Sequence, residues 1–160
     1  MPLKELGTIE KVSLRKVVAI TSSAAVFFAA AGLIYVFGSL SLPKFISIGD
    51  KQIKAELAVS DEEKVKGLSG RSGLCADCGL LFVYDGYFIP NFWMKEMRFP
   101  IDIIWIRDEM VVGFDKNVPP PQEGEPLATY QPKTFVNYVL EVPANFVDKN
   151  DLKIGDKFKF

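Results

Sequence analysis

Residues 17–42 read VVAITSSAAVFFAAAGLIYVFGSLSL, twenty-six positions without a charged side chain. No other feature constrains the chain as strongly, because about 20 apolar residues suffice for a helix to cross the hydrocarbon of a bilayer. Inside lipid the backbone must satisfy its own hydrogen bonds. A helix of Ala, Val, Phe, Ile and Leu does so without exposing polar side chains, and Thr21, Ser22 and Ser23 can bond back to preceding carbonyls. The run therefore predicts one N-terminal transmembrane helix. A cleaved secretory signal is the competing reading, but its apolar centre usually spans roughly 7–15 residues and ends at a small-x-small site. The best such site, Ala29-Ala30-Ala31, lies inside the run. An uncleaved anchor is expected. Lys4, Lys11, Arg15 and Lys16 precede the span, whereas Lys44 and Lys51 are the nearest basic residues after it. That asymmetry keeps the N-terminus cytoplasmic. The expected organisation is a cytoplasmic tail at 1–16, an anchor at 17–42 and one extracytoplasmic domain at 43–160, in a compartment where thiols tend to oxidise.

Charge and composition narrow the function. With 19 basic and 20 acidic residues the formal net charge is −1, so no single-signed field gathers nucleic acid, and no nucleic-acid partner is expected. The chain contains no histidine. That excludes Ser-His-Asp and Cys-His catalysis and histidine-based zinc sites, and no metal or cofactor is expected. Paired carboxylates, Asp102 with Glu141, remain as the one arrangement that a glycosidase would use.

The segment after the anchor carries turn signals every eight to twelve residues, the spacing of short strands. Ile46-Ser47-Ile48, Gly49-Asp50-Lys51 and the following stretch through Val59 predict a hairpin whose Ile53, Ala55, Leu57 and Val59 face inward. Ser60-Asp61-Glu62-Glu63 has the pattern of a capping box, so a short helix starts there and ends at Gly67 and Gly70. Leu80 to Tyr84, a turn at Asp85-Gly86, Asn91 to Lys95, Ile101 to Ile106, a turn near Asp108-Glu109 and Val111 to Phe114 read as an antiparallel meander. The proline-rich residues 119–132 predict a long loop over the sheet. Two more strands, around Tyr138 to Val142 and Lys157 to Phe160, flank a helical turn near Val147. The fold class is mostly β, sandwich-like or barrel-like, with one or two short helices.

Several of these segments carry a resemblance. Gly67-Leu68-Ser69-Gly70-Arg71, Gly79-Leu80-Leu81-Phe82, Phe92-Trp93-Met94-Lys95, Pro100-Ile101-Asp102-Ile103, Val139-Leu140-Glu141-Val142 and Gly155-Asp156 closely resemble the bacterial and archaeal domain of unknown function 192 family. The resemblance implies a compact, mostly-β, often exported domain and no established activity. Leu80 stands where the family usually has methionine, a volume-conserving swap. Asn145 stands where glycine is common, at a position that calls for φ > 0, which asparagine tolerates.

Two constellations carry the chemistry. Strand alternation places Trp93 and Lys95 on one face of their strand, and sets Asp102 between isoleucines on the next. A buried carboxylate needs partners, and Lys95 and Arg71 are the candidates. One reading is a structural ion pair; the other is a cleft in which Arg71, Trp93, Lys95 and Asp102 hold a small polar ligand such as a sugar or carboxylate. Cys75-Ala76-Asp77-Cys78 allows a structural disulfide, a redox-active pair or half of a metal site, and the oxidising compartment favours the disulfide. Two functions follow: a membrane-tethered small-ligand-binding or accessory module, and a membrane-tethered thiol oxidoreductase using Cys75 and Cys78. The first is favoured.

Overall fold

A computed structural model describes residues 43–160, and the tail at 1–16 and the anchor expected at 17–42 lie outside them. Among the described residues, no helix is long and apolar enough to cross a membrane. The architecture is mostly β: one curled seven-stranded half-barrel, a two-stranded ribbon and two short helices.

The chain opens as expected with a hairpin, β1 (Lys44–Ile48) and β2 (Lys51–Ala58), turning at Gly49 with φ of +55°. Ile53 and Ala55 are buried and Leu57 is partly so, but Val59 is exposed because the strand ends one residue earlier, at buried Ala58. Helix α1 (Asp61–Lys66) follows. Ser60 Oγ accepts the Glu63 amide at 3.2 Å, and Glu63 Oε2 accepts the Ser60 amide at 3.0 Å, closing the capping box reciprocally. Gly67 and Gly70, with φ of +48° and +76°, end it.

The simple meander is corrected by the pairing. Strand β3 (Cys78–Phe88) runs parallel to β2, with α1 in the crossover, and it continues through Asp85-Gly86 as an irregularity rather than turning there. β5 (Ile101–Arg107) and β6 (Met110–Val118) form a hairpin, and β8 (Val136–Pro143) inserts between β3 and β5. β4 (Phe92–Trp93) leaves the main sheet to pair with β7 (Thr129–Tyr130) from the proline-rich loop. Helix α2 (Phe146–Lys149) leads to β9 (Phe158–Lys159) beside β1. The sheet curls until the Phe158 amide reaches the Glu109 carbonyl at 2.7 Å and Met110 bridges Lys157, so its edges approach each other.

Both faces of this sheet are covered. Ile46, Ile53, Leu81, Ile104, Leu140, Phe146 and Phe158 pack inside the curl. Leu80, Phe82, Phe92, Ile103, Trp105 and Val139 pack outside it, beneath the ribbon and Leu68. That is why every residue from Ile101 to Ile106 is buried.

Asp102 is fully buried, as its isoleucine neighbours suggested, but its expected cation is absent. Lys95 is not opposite it, because β4 belongs to the separate ribbon, and Lys95 is exposed. Arg71 is engaged elsewhere. The Asp102 carboxylate instead accepts three backbone amides: Asn117 at 2.7 Å, Asn145 at 3.3 Å and Val147 at 2.9 Å. Each of these donors has a reason to need it. The β5–β6 register skips between Ile101↔Val118 and Ile103↔Asp115, so Asn117, at φ +53°, sits in a bulge whose amide has no ladder partner. Val147 lies in the first turn of α2, whose own N-cap, Asn145, makes no side-chain cap bond. Asn145 has φ of +66°, the conformation its family position called for. One carboxylate thus caps a helix and closes a bulge at once.

Replacing Asp102 by alanine leaves three amides without an acceptor, and should cost about 3–5 kcal/mol of stability. Urea unfolding should show a lower midpoint with an unchanged slope.

Candidate functional site

Alternation along β8 sends Leu140 and Val142 into the curl and Glu141 to the outer face, beside Val139. By register, Glu141 lies between Leu80 on β3 and Ile103 on β5. Asp102, one step along from Ile103, points to the other side. The carboxylate pair that a glycosidase would need is therefore not formed: Asp102 and Glu141 sit on opposite faces of one sheet.

Glu141 forms part of a cleft of about 240 Å³. Its walls come from four places: the end of α1 and its cap (Lys64, Lys66, Gly67), β3 (Phe82, Tyr84, Phe88), β4 (Phe92, Trp93) and β8 itself. The rings are mutually braced, Phe82 on Phe92 edge to face at 4.8 Å and Tyr84 on Phe88 at 4.3 Å. Gly67 lets the chain pass closely over them. A Cβ there would stand 3.4 Å from Phe82 Cζ and 3.9 Å from Glu141 Oε2, in a left-handed backbone conformation. Trp93 is 45% exposed and is among the residues that line the cleft. Lys64 holds its ammonium 4.7 Å from the centre of the Tyr84 ring.

Glu141 Oε2 is buried and, among the described residues, has no hydrogen-bond partner. Burial raises the Glu141 pKa to about 8, and the positive charge of Arg71 offsets only part of that rise. At neutral pH this carboxyl is mostly protonated, a neutral donor among aromatic rings. The Tyr84 hydroxyl is likewise pushed up, first by burial and then by the Glu141 charge. Arg71 is committed to Glu56 by a two-pronged contact, Nη1 to Oε1 and Nη2 to Oε2, both at 2.8 Å. That bond holds the Glu56 carboxyl below its ordinary range.

The four residues expected to line one cleft are thus dispersed. Trp93 lines it. Arg71 bonds Glu56 and acts on Glu141 only through space, Lys95 offers its backbone carbonyl to Ser69 Oγ at 2.8 Å, and Asp102 belongs to the inner core. Glu141, which was not among those four, is the buried carboxyl that lines the cleft. A charged residue at the centre of VLEV, among residues of a two-sided buried strand, was the signal for it. Cys75 and Cys78 are joined as a disulfide with Cα atoms 5.1 Å apart. Cys78 opens a strand rather than a helix, so the helix N-terminus that lowers a thiol pKa in redox-active pairs is not beside it.

Glu141 makes a sharp prediction about pH. Its folded pKa lies above the unfolded value, so its neutral form favours folding; that stability is fully present below about pH 4.5 and is lost as pH rises through about 8. Glu141→Gln should remove this slope and gain roughly 3–5 kcal/mol relative to wild type above about pH 8, read by urea unfolding across pH.

Comparison with known proteins places this geometry. Residues 44–160 match the model of the DUF192 family, described as an uncharacterized ACR. A crystal structure from Sinorhizobium meliloti 1021, described as a candidate transcription regulator, is 25% identical with a TM-score of 0.69, over 76% of this chain and 96% of that one. A protein of unknown function from Novosphingobium aromaticivorans DSM 12444 is 24% identical with a TM-score of 0.68, over 74% and 85%. No curated protein matches the chain significantly.

Proposed function

The chain belongs to the DUF192 family, and from that premise we propose that its domain is a small-ligand-binding module, tethered to the membrane by residues 17–42 and working outside the cytoplasm. One observation carries the reading: a buried carboxyl oxygen without a partner faces a cleft walled by aromatic rings. Leaving a polar group desolvated and unpaired costs about 1–3 kcal/mol, a cost removed when a ligand supplies the partner. The cleft is smaller than the roughly 300–1,000 Å³ of drug-sized sites, so the ligand is small. Trp93 supplies a face on which it stacks, and Glu141 orients it. The sequence pointed to a sugar or carboxylate held by Arg71, Trp93, Lys95 and Asp102 together. Arg71 is paired in charge with Glu56, which shifts the weight to ligands that engage Glu141.

A ligand at about a hundred times its Kd should stabilise the wild-type protein by about 2.7 kcal/mol. Thermal shift with a fragment library checks this, and Trp93→Ala and Glu141→Gln should each abolish the shift while the fold is kept. A library that moves neither Trp93 fluorescence nor melting would overturn the reading. The tether has its own test. A C-terminal alkaline phosphatase fusion should be active, and a C-terminal green fluorescent protein fusion dark; the reverse pattern would place the domain in the cytoplasm.

A further inference from the structure

We propose that the Glu141 cleft is a receptor for a small organic ammonium ion, seated with its positive charge against the Glu141 carboxylate and its alkyl groups against the aromatic walls. This rests on the reading of the cleft as a ligand site and names the ligand's class. Two features of the site favour a positive charge, and a third shows where the protein's own cation competes for the same surface. The first is the unpartnered Oε2 of Glu141, for which an ammonium is a counter-ion. The second is the ring assembly of Phe82, Tyr84, Phe88, Phe92 and Trp93, whose faces carry negative quadrupole potential and attract cations. The third is Lys64. Its ammonium already rests over the Tyr84 ring, so the protein's own cation occupies part of the surface that the ligand would use. The C-terminal residues of α1 line the same space and bring the partially negative end of that helix to it.

The charges around Glu141 define what a cation must overcome. Arg71 acts on it from the segment after α1 but is neutralised by Glu56 on β2. Lys64 and Lys66 stand on α1 at the mouth, and Tyr84 on β3 is held neutral. The empty cleft therefore has a protonated floor at neutral pH, and an arriving ammonium ionises it, releasing one proton. A neutral polyol would leave the proton in place, and an anion, though it would meet Lys64 and Lys66 at the mouth, would find on the floor only Glu141, with Arg71 paired to Glu56.

Choline and its uncharged isostere, with carbon in place of nitrogen, separate these cases on the full-length chain in a non-ionic detergent, because neither titrates near neutral pH. Calorimetry should show choline binding at least about tenfold more tightly than the isostere, with proton release detected by comparing buffers of different ionisation heat. Affinity should climb by up to about tenfold per pH unit and level off above about pH 8, the range set by Glu141. Glu141→Gln should remove both the preference and the pH dependence. Lys64→Met should tighten choline binding several-fold by vacating Tyr84. If the isostere or a neutral sugar binds in a Trp93-dependent way and choline does not, the ammonium assignment is overturned and the ligand-site reading survives. If none of them binds, both fall.

Discussion

Strands β5 and β8 are covered on both faces, and this double burial governs the rest of the molecule. A strand wetted on one side alternates apolar and polar residues; these cannot, because the curl of the sheet encloses one core and the ribbon of β4 and β7 closes over another. Side chains adjacent in sequence therefore serve different interiors. Asp102 and Ile103 part company across the sheet, as do Leu140 and Glu141. Each interior receives one carboxyl, and the two meet opposite surroundings.

Inside the curl, Asp102 is surrounded by need. A bulged strand and an uncapped helix both present amide donors, and the carboxylate collects them without any side-chain cation. Its burial is offset by the hydrogen bonds that it accepts, so it works as a fastener between β5, β6 and α2. On the outer face Glu141 meets rings, a glycine and a distant guanidinium that is already spent. Nothing in the fold requires a carboxyl at that spot, since its nearest neighbours along β8, Val139, Leu140 and Val142, are all apolar and buried. A folding-only selection would favour an apolar side chain there, because replacing a buried unpaired acid stabilises. A group retained at a cost is a better pointer to function than one that completes the scaffold.

How much of this was legible follows from what each residue's partner was. The capping box could be read from Ser60 and Glu63 alone, because both partners lie within one turn of helix. The burial of Asp102 could be read from its isoleucine flanks, and the left-handed turn at Asn145 from the family pattern. The partners of Asp102 could not, because they are backbone amides exposed by a bulge and by a helix start, and every residue carries an amide. The meander reading put β4 beside β5 and so lent Asp102 a lysine. A parallel β2–β3 crossover and the insertion of β8 between β3 and β5 are long-range choices that local turn signals do not encode. Trp93 is the one residue of the four expected together that lines the cleft beside Glu141.

The way the cleft is roofed connects the rigid half-barrel to a site that can admit a ligand. Helix α1 buries none of its residues and is held mainly by its own cap. Its trailing segment is pinned by Leu68 in the outer core, by Ser69 Oγ on the Lys95 carbonyl and by the Gly70 amide on the Glu96 carbonyl at 3.0 Å. The roof is thus tied both to the β4–β5 connection and, through Leu68 and the Arg71–Glu56 bond, to the sheet, while Glu141 and Phe82 stand on strands with neighbours on both sides. Few buried contacts and solvent-facing hydrogen bonds characterise segments that open at a small fraction of the global unfolding free energy. Glu141 is therefore set on strands paired on both sides, while the helix above it buries none of its own residues. On the proposed reading, a ligand reaches the carboxyl by displacing that helix rather than by loosening the half-barrel.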